Sequence, residues 1–146
     1  MKDLSGVFSS KIDNWSTPQM LYDQLDHEFL FDLDPCADDH NHKCDLYFTK
    51  EQNGLDQDWS GHRVFCNPPY GKDISKWVRK AYIEGHKENT LVVMLIPART
   101  DTAYFHDYIL NRAEIRFLRG RLKFSGSSKP APFPSILVIY RGMGVS

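Results

Sequence analysis

The chain has 146 residues, 41% of them hydrophobic and 25% charged, which is the size and balance of one folded domain and excludes a disordered or fibrous protein. No run approaches the roughly 18 apolar residues of a membrane span, and Met1-Lys-Asp-Leu-Ser5 lacks the apolar segment of a secretory leader, so a cytoplasmic protein without a membrane partner is expected. The net charge of −1 conceals a split, with residues 1–58 at −9 and residues 59–146 at +8, and such a split leaves room for one electropositive face.

Residues 1–13 show no periodicity and read as a loosely held lead-in to a single domain over 14–146. Thr17-Pro18 predicts a helix start, with a hydroxyl cap followed by a residue that needs no N–H. Leu21 and Leu25 then give a buried stripe up to about Asp26. Phe29 to Asp34 reads as a strand ended by Pro35, and the two-residue period puts Asp32 and Asp34 on one anionic face. Cys36, His40, His42 and Cys44 are ligand types for zinc, but their spacing departs from the pair-and-pair arrangement, and no metal is expected. With Cys66 as the third cysteine, no disulfide framework is present either. Leu46 to Phe48 forms a further short strand, and Asn53-Gly54 and Ser60-Gly61 mark turns.

His62 to Cys66 is a strand that runs into Asn67-Pro68-Pro69-Tyr70. Each proline fixes its own φ and keeps the preceding residue out of the helical region, so this turn is rigid. It offers the Asn67 carboxamide and the Pro68 carbonyl as acceptors and the Tyr70 ring as a stacking face, a set suited to an exocyclic amine. Asp73 then caps a helix whose buried face is Ile74, Trp77, Val78, Ala81 and Tyr82 and which Gly85 ends. Leu91 to Ile96 is an uninterrupted apolar strand, so residues 62–96 form a strand–helix–strand unit of a parallel sheet. Open sheets of this kind bind ligands at the carboxyl ends of their strands, where Asn67 falls.

Arg99 lies in a loop on the same edge, followed by a helix over 102–111 that buries Phe105, Tyr108 and Ile109. Ile115 to Phe117 and Ser135 to Tyr140 are the last strands, antiparallel to each other. The connection between them is rich in glycine, serine and proline, and its charges are all positive: Arg121, Lys123 and Lys129, with Arg116 and Arg119 just upstream. It reads as a mobile basic loop that clamps phosphates.

Asn14-Trp-Ser-Thr-Pro18, Phe31-Asp-Leu-Asp-Pro-Cys-Ala37, Asn67 to Gly71, Gly120-Arg-Leu-Lys-Phe124 and Ala131-Pro-Phe-Pro-Ser135, in that order, resemble the small phage-type DNA N6-adenine methyltransferases, the Dam-like family. The resemblance spans about residues 12–141. It implies a Rossmann-like α/β methyltransferase fold, a compact open sheet mostly parallel with an antiparallel C-terminal strand. It also implies S-adenosylmethionine as cofactor, double-stranded DNA as substrate and no separate target-recognition domain. The catalytic residues become Asn67, Pro68, Pro69 and Tyr70. Cofactor contacts fall to Trp15, Thr17, Asp32, Asp34, Pro35, Ala37 and Asn67, with Asp34 facing the ammonium of the methionine moiety. DNA contacts fall to Arg99, Arg119, Arg121, Lys123 and Lys129. A contact to the adenosine follows the second strand, from Thr49, Glu51 or Asn53.

Cytosine-N4 methylation, methylation of a protein glutamine amide, and a DNA-binding accessory protein with a dead pocket stand as alternatives. Cytosine-N4 methylation uses a related turn, though the Asn-first, Tyr-last form favours adenine. Glutamine methylation also uses Asn-Pro-Pro-Tyr, but the basic C-terminal half favours DNA over protein. The complete Asn67 to Tyr70 turn speaks against a dead pocket. Pro35-Cys36 also resembles the nucleophilic pair of cytosine-C5 methyltransferases, but it follows the first strand, and Cys36 and Cys66 read as small buried thiols. Oligomeric state stays open, and no obligate protein partner is evident.

Overall fold

The central strand of the molecule is β4, Leu91–Pro97, in which all seven residues are buried. A computed structural model describes residues 15–146 of the chain; the expected lead-in over 1–13 and Asn14 lie outside them. Around β4, the described residues form one six-stranded sheet in the order β2-β1-β3-β4-β6-β5. The strands are β1 (Leu33–Asp34), β2 (Leu46–Tyr47), β3 (Arg63–Cys66), β5 (Glu114–Phe117) and β6 (Ser135–Arg141). β1 is parallel to both β2 and β3, and β3 is parallel to β4. Only β6 runs against the rest, pairing antiparallel with β4 and with β5. The sheet is thus open and Rossmann-like, mostly parallel with an antiparallel C-terminal strand, as expected.

The chain leaves β1 to one side of the sheet for β2 and returns on the other side for β3. That reversal opens a crevice beyond the carboxyl ends of β1 and β3, where open α/β sheets hold ligands. Asp34 ends β1 and Asn67 follows β3, so both motifs arrive at the same crevice.

Two helices flank the sheet. α1 (Gln19–Phe29) buries Tyr22, Leu25 and Phe29, while Leu21 is only half-buried. It continues one turn beyond the expected Asp26, because Phe29 completes the i, i+4 stripe begun by Leu25. Leu30 then takes a left-handed conformation, φ 55°, and stops the helix. The strand expected over 29–34 therefore shrinks to two residues. Pro18, not Thr17, is the cap residue, and the Thr17 hydroxyl is engaged elsewhere. α2 (Ile74–Gly85) has the predicted span and buries Ile74, Trp77, Val78 and Ala81, with Tyr82 half-buried. Asp73 makes no capping hydrogen bond and pairs with Lys76 instead. Gly85 serves packing: a Cβ there would lie 2.4 Å from the Tyr140 Cβ of β6.

The helix expected over 102–111 is a π-helical turn, Phe105–Ile109, closed by Leu110 N–H donating to the Phe105 carbonyl at 2.8 Å. The wider turn brings Phe105 and Ile109 to the core together. The 118–134 connection is also tied down. Its Phe124, Ala131 and Phe133 are buried, Ala131 N–H donates to the Leu122 carbonyl at 2.7 Å, and Ser125 N–H donates to the Ser16 carbonyl at 3.0 Å. Its alternation of apolar and basic residues thus builds a wall with a charged outer face. Arg116 is not part of that face: it forms a bidentate pair with Glu28 of α1 at 2.7 Å and also meets Glu114. No helix among the described residues is long and apolar enough to cross a membrane.

Candidate active site

A cavity at the crevice is lined by Trp15, Ser16, Thr17, Asp34, Cys36, Asn41, Lys43, Phe65 and Asn67. Three stretches far apart in sequence make it: the segment before α1, the loop after β1, and the end of β3.

Asn67 holds the centre. Its Nδ2 donates to the Trp15 carbonyl and to Thr17 Oγ1, the latter at 2.9 Å. Its Oδ1 is buried and has no partner among the described residues. A buried acceptor without a donor is costly, so this atom marks a place for a ligand's N–H. Pro68 and Tyr70 are buried behind it and Pro69 is half-buried. Tyr70 donates its hydroxyl to the Leu95 carbonyl at 3.0 Å, and its ring meets those of Phe124 and Phe133 nearly edge-on, at 6.2 and 5.7 Å. Trp15 packs on the same two phenylalanines at 5.2 and 5.3 Å. The Gly120–Phe124 and Ala131–Ser135 stretches thus supply the aromatic wall of the site.

Asp34 is 5% exposed, and its carboxylate accepts from Lys43 N–H at 2.9 Å and Cys36 N–H at 3.3 Å. Burial outweighs these two donors and pushes its pKa up to about 6. Ionised Asp34 therefore costs the fold on the order of 3 kcal/mol at neutral pH, taking 1.36 kcal/mol per unit. A cation placed in the cavity would relieve that cost. Lys43 lines the same cavity, and its ammonium, whose pKa burial lowers, lies 2.7 Å from the Oε1 of Gln19, a residue outside that lining.

The predicted residues divide cleanly. Trp15, Thr17, Asp34 and Asn67 meet in the cavity. Asp32 does not: it sits at the amino end of β1, where its carboxylate accepts from Arg63 N–H at 2.8 Å and faces His62. Sharing a strand face with Asp34 put it on the right side but at the wrong end. Pro35 and Ala37 shape the loop behind the cavity, with Ala37 N–H donating to the Phe48 carbonyl and the Pro35 carbonyl pressed on Gly54. A Cβ on Gly54 would fall 2.0 Å from that oxygen, so only glycine fits there.

Ser16, Asn41, Lys43 and Phe65 were missed in the sequence. Lys43 had one available signal, as one of only four basic residues before position 59. Beyond β2 a second cavity is lined by Asp39, Tyr47, Thr49, Glu51 and Gln52. Asn53 is occupied as the cap of the turn Gly54–Asp56, and Thr49 N–H is held by Gln52. Glu51 is exposed there.

The cysteines give no nucleophile. Burial pushes the Cys36 thiol up to about 12 and raises Cys66 as well, so neither is a thiolate at neutral pH. Cys44 is buried against the Tyr22 hydroxyl at 3.4 Å and His42 is stacked on Tyr47, and among the described residues no group of three metal ligands converges. Arg99, Arg119, Arg121, Lys123 and Lys129 are all exposed, and no carboxylate of the described residues pairs with them.

A crevice at the sheet's reversal point, with an Asn67 acceptor that has no partner among the described residues, is where a methyltransferase of this fold would hold its ligands. The sequence matches the family described as DNA N-6-adenine-methyltransferase (Dam) over residues 5–143, and the chain belongs to that family. It is 34% identical over 120 residues to the DNA N-6-adenine-methyltransferase of Haemophilus phage HP1 (strain HP1c1), covering 81% of this chain and 69% of that protein. It is 36% identical over 113 residues to the enzyme of the same description from Escherichia phage T1, covering 75% of this chain and 46% of that protein. The chain is an S-adenosylmethionine-dependent DNA adenine-N6 methyltransferase.

Proposed function

We propose that the chain acts on double-stranded DNA, that residues 14–146 work as one methyltransferase domain in the cytoplasm, and that Asn67 receives the target amine. The unpartnered buried Oδ1 of Asn67 carries this reading. S-adenosylmethionine, when bound, supplies an electrophilic methyl group. Asp34 would hold the ammonium of its methionine end and Lys43 its carboxylate, with Trp15 and Thr17 lining the same cavity, and Glu51 would accept from the ribose hydroxyls in the second cavity.

An adenine N6 inside a duplex is out of reach, so the base is flipped toward Asn67. Asn67 Oδ1 and the Pro68 carbonyl accept its two N–H bonds and aim the nitrogen lone pair outward. Alignment and fixed dipoles do the work, without a covalent intermediate. Tyr70 stacks on the flipped base, which requires Phe124 and Phe133 to move from their present contacts. Arg99, Arg119, Arg121, Lys123 and Lys129 hold the backbone phosphates, and target reading falls to the loops around them.

The test is direct. The protein is incubated with methyl-labelled S-adenosylmethionine and unmethylated double-stranded DNA, and the DNA is digested to nucleosides. Label in N6-methyladenine is expected; label in N4-methylcytosine, or label only with single-stranded substrate, overturns the reading.

A further inference from the structure

The carboxamide of Asn67 has two ends that differ only in what they offer, and the target amine needs the oxygen. Which end points to the cavity is decided by the other end's partners. The Trp15 carbonyl is an acceptor only, so the atom facing it must be the amide nitrogen. Thr17 Oγ1 lies 2.9 Å from the same nitrogen and takes its second N–H. Both donors of the amide are thereby used, and Oδ1 is left buried without a partner among the described residues. Thr17 itself is 3% exposed, and neither the helix cap nor the sheet explains its hydroxyl.

We propose that Thr17 is a positioning residue for methyl transfer: the Trp15 carbonyl sets which end of the Asn67 amide faces the target amine, and Thr17, by taking the second N–H, holds the amide in that place. This rests on the reading of Asn67 given above. The segment is secured on its far side as well: Ser125 N–H donates to the Ser16 carbonyl at 3.0 Å, and Ser125 Oγ donates to the Thr17 carbonyl at 3.2 Å. The basic wall and the catalytic amide are therefore fastened to the same short segment, 15–17, and share Thr17.

Thr17→Val keeps the shape and removes the acceptor, whereas Thr17→Ser keeps the acceptor. Single-turnover methyl transfer is measured at saturating cofactor and saturating duplex, alongside the cofactor Kd and the melting temperature of each variant. With Thr17→Val the saturated rate should fall roughly 5- to 20-fold, the scale of one hydrogen bond lost in a preorganised site. Thr17→Ser should recover it to within about 3-fold. A Thr17→Val protein with the wild-type saturated rate overturns the proposal, whether or not its cofactor Kd has risen, since Thr17 is then at most a cofactor contact. A Thr17→Ser protein as slow as Thr17→Val, at matched melting temperatures, overturns it too, because the hydroxyl is then not the reason. If Thr17→Val fails to fold, Thr17→Ser against Thr17→Ala decides on the same saturated rate. Failure of the underlying reading looks different: the wild type itself then places no methyl on adenine.

Discussion

The two sides of the sheet are built on different terms. On the β1–β2 side, acidic in sequence, loop groups are held by hydrogen bonds: Asp34 takes two backbone N–H groups, Asp38 those of His40 and Asn41, and Tyr47 reaches Asp39. On the β6–β5 side, the 118–134 segment buries aromatic rings inward and leaves its cations exposed, with no carboxylate partner among the described residues. A fixed small molecule needs the first kind of surface, and a polyanion bound mainly by charge needs the second. The division falls between β1 and β3, where Asn67 stands. β2 and β5 are the two edges of the sheet, so the acidic loops around β1 and β2 and the basic connection between β5 and β6 belong to opposite ends of the strand order, although Glu28 of the acidic half pairs with Arg116 of β5.

The largest effect should come from the boundary itself. Asn67→Ala removes the acceptor for the target amine and should lower turnover by roughly 100-fold or more, with cofactor affinity close to wild type. Rate and calorimetric Kd, measured together, check this. Asp34→Ala breaks the cofactor side and should weaken cofactor binding by about 10- to 100-fold, the scale of a buried charged contact.

The same carboxylate gives a pH signature. Its folded pKa is raised from 3.8 to about 6, so the folded protein holds the proton over that window and the ionised form is the destabilised one. Cation binding needs the ionised form. Cofactor affinity should therefore be full above pH 6 and fall as the pH drops through it. In Asp34→Asn that dependence should vanish, and persistence of the same fall in the variant would assign it to another group.

Gly54→Ala is expected to act at one remove, driving a methyl into the Pro35 carbonyl. Overpacking of this kind costs roughly 1–3 kcal/mol, read by denaturant melts, and should weaken cofactor binding while the DNA salt slope stays unchanged. The smallest effects belong to the basic wall. Arg121 and Lys123 are exposed on either side of half-buried Leu122. Replacing either by Ala should weaken binding to all duplexes about equally and reduce the salt-dependence slope by roughly one. A loss confined to one preferred sequence would show a base contact instead.

Long periodic elements were legible in the sequence, and short ones were not. β4, β6 and α2 each carry enough apolar residues at a single period to be read directly. β1 and β2 have two residues apiece, too few for any period to emerge, and Phe29 fits a strand pattern and a helix stripe equally well. The Asn-Pro-Pro-Tyr turn was legible because its rigidity is local. The bond from Asn67 to Thr17 was not, since its partners lie 50 positions apart. The placement of Thr17 before Pro18 satisfied a local rule for helix caps, and tertiary contact overrode that rule. The basic residues of 119–129 were read correctly as exposed, but the phenylalanines among them turn the segment from a free loop into a wall.

Calorimetric titration of S-adenosylmethionine into three proteins tests the division most directly: Asp34→Ala, Asn67→Ala, and Arg121→Ala combined with Lys123→Ala. Asp34→Ala should lose by far the most affinity, Asn67→Ala much less, and the double variant should bind within about 2-fold of wild type. A loss in the double variant comparable to that of Asp34→Ala, or wild-type binding by Asp34→Ala, would contradict the separation of cofactor and DNA sides.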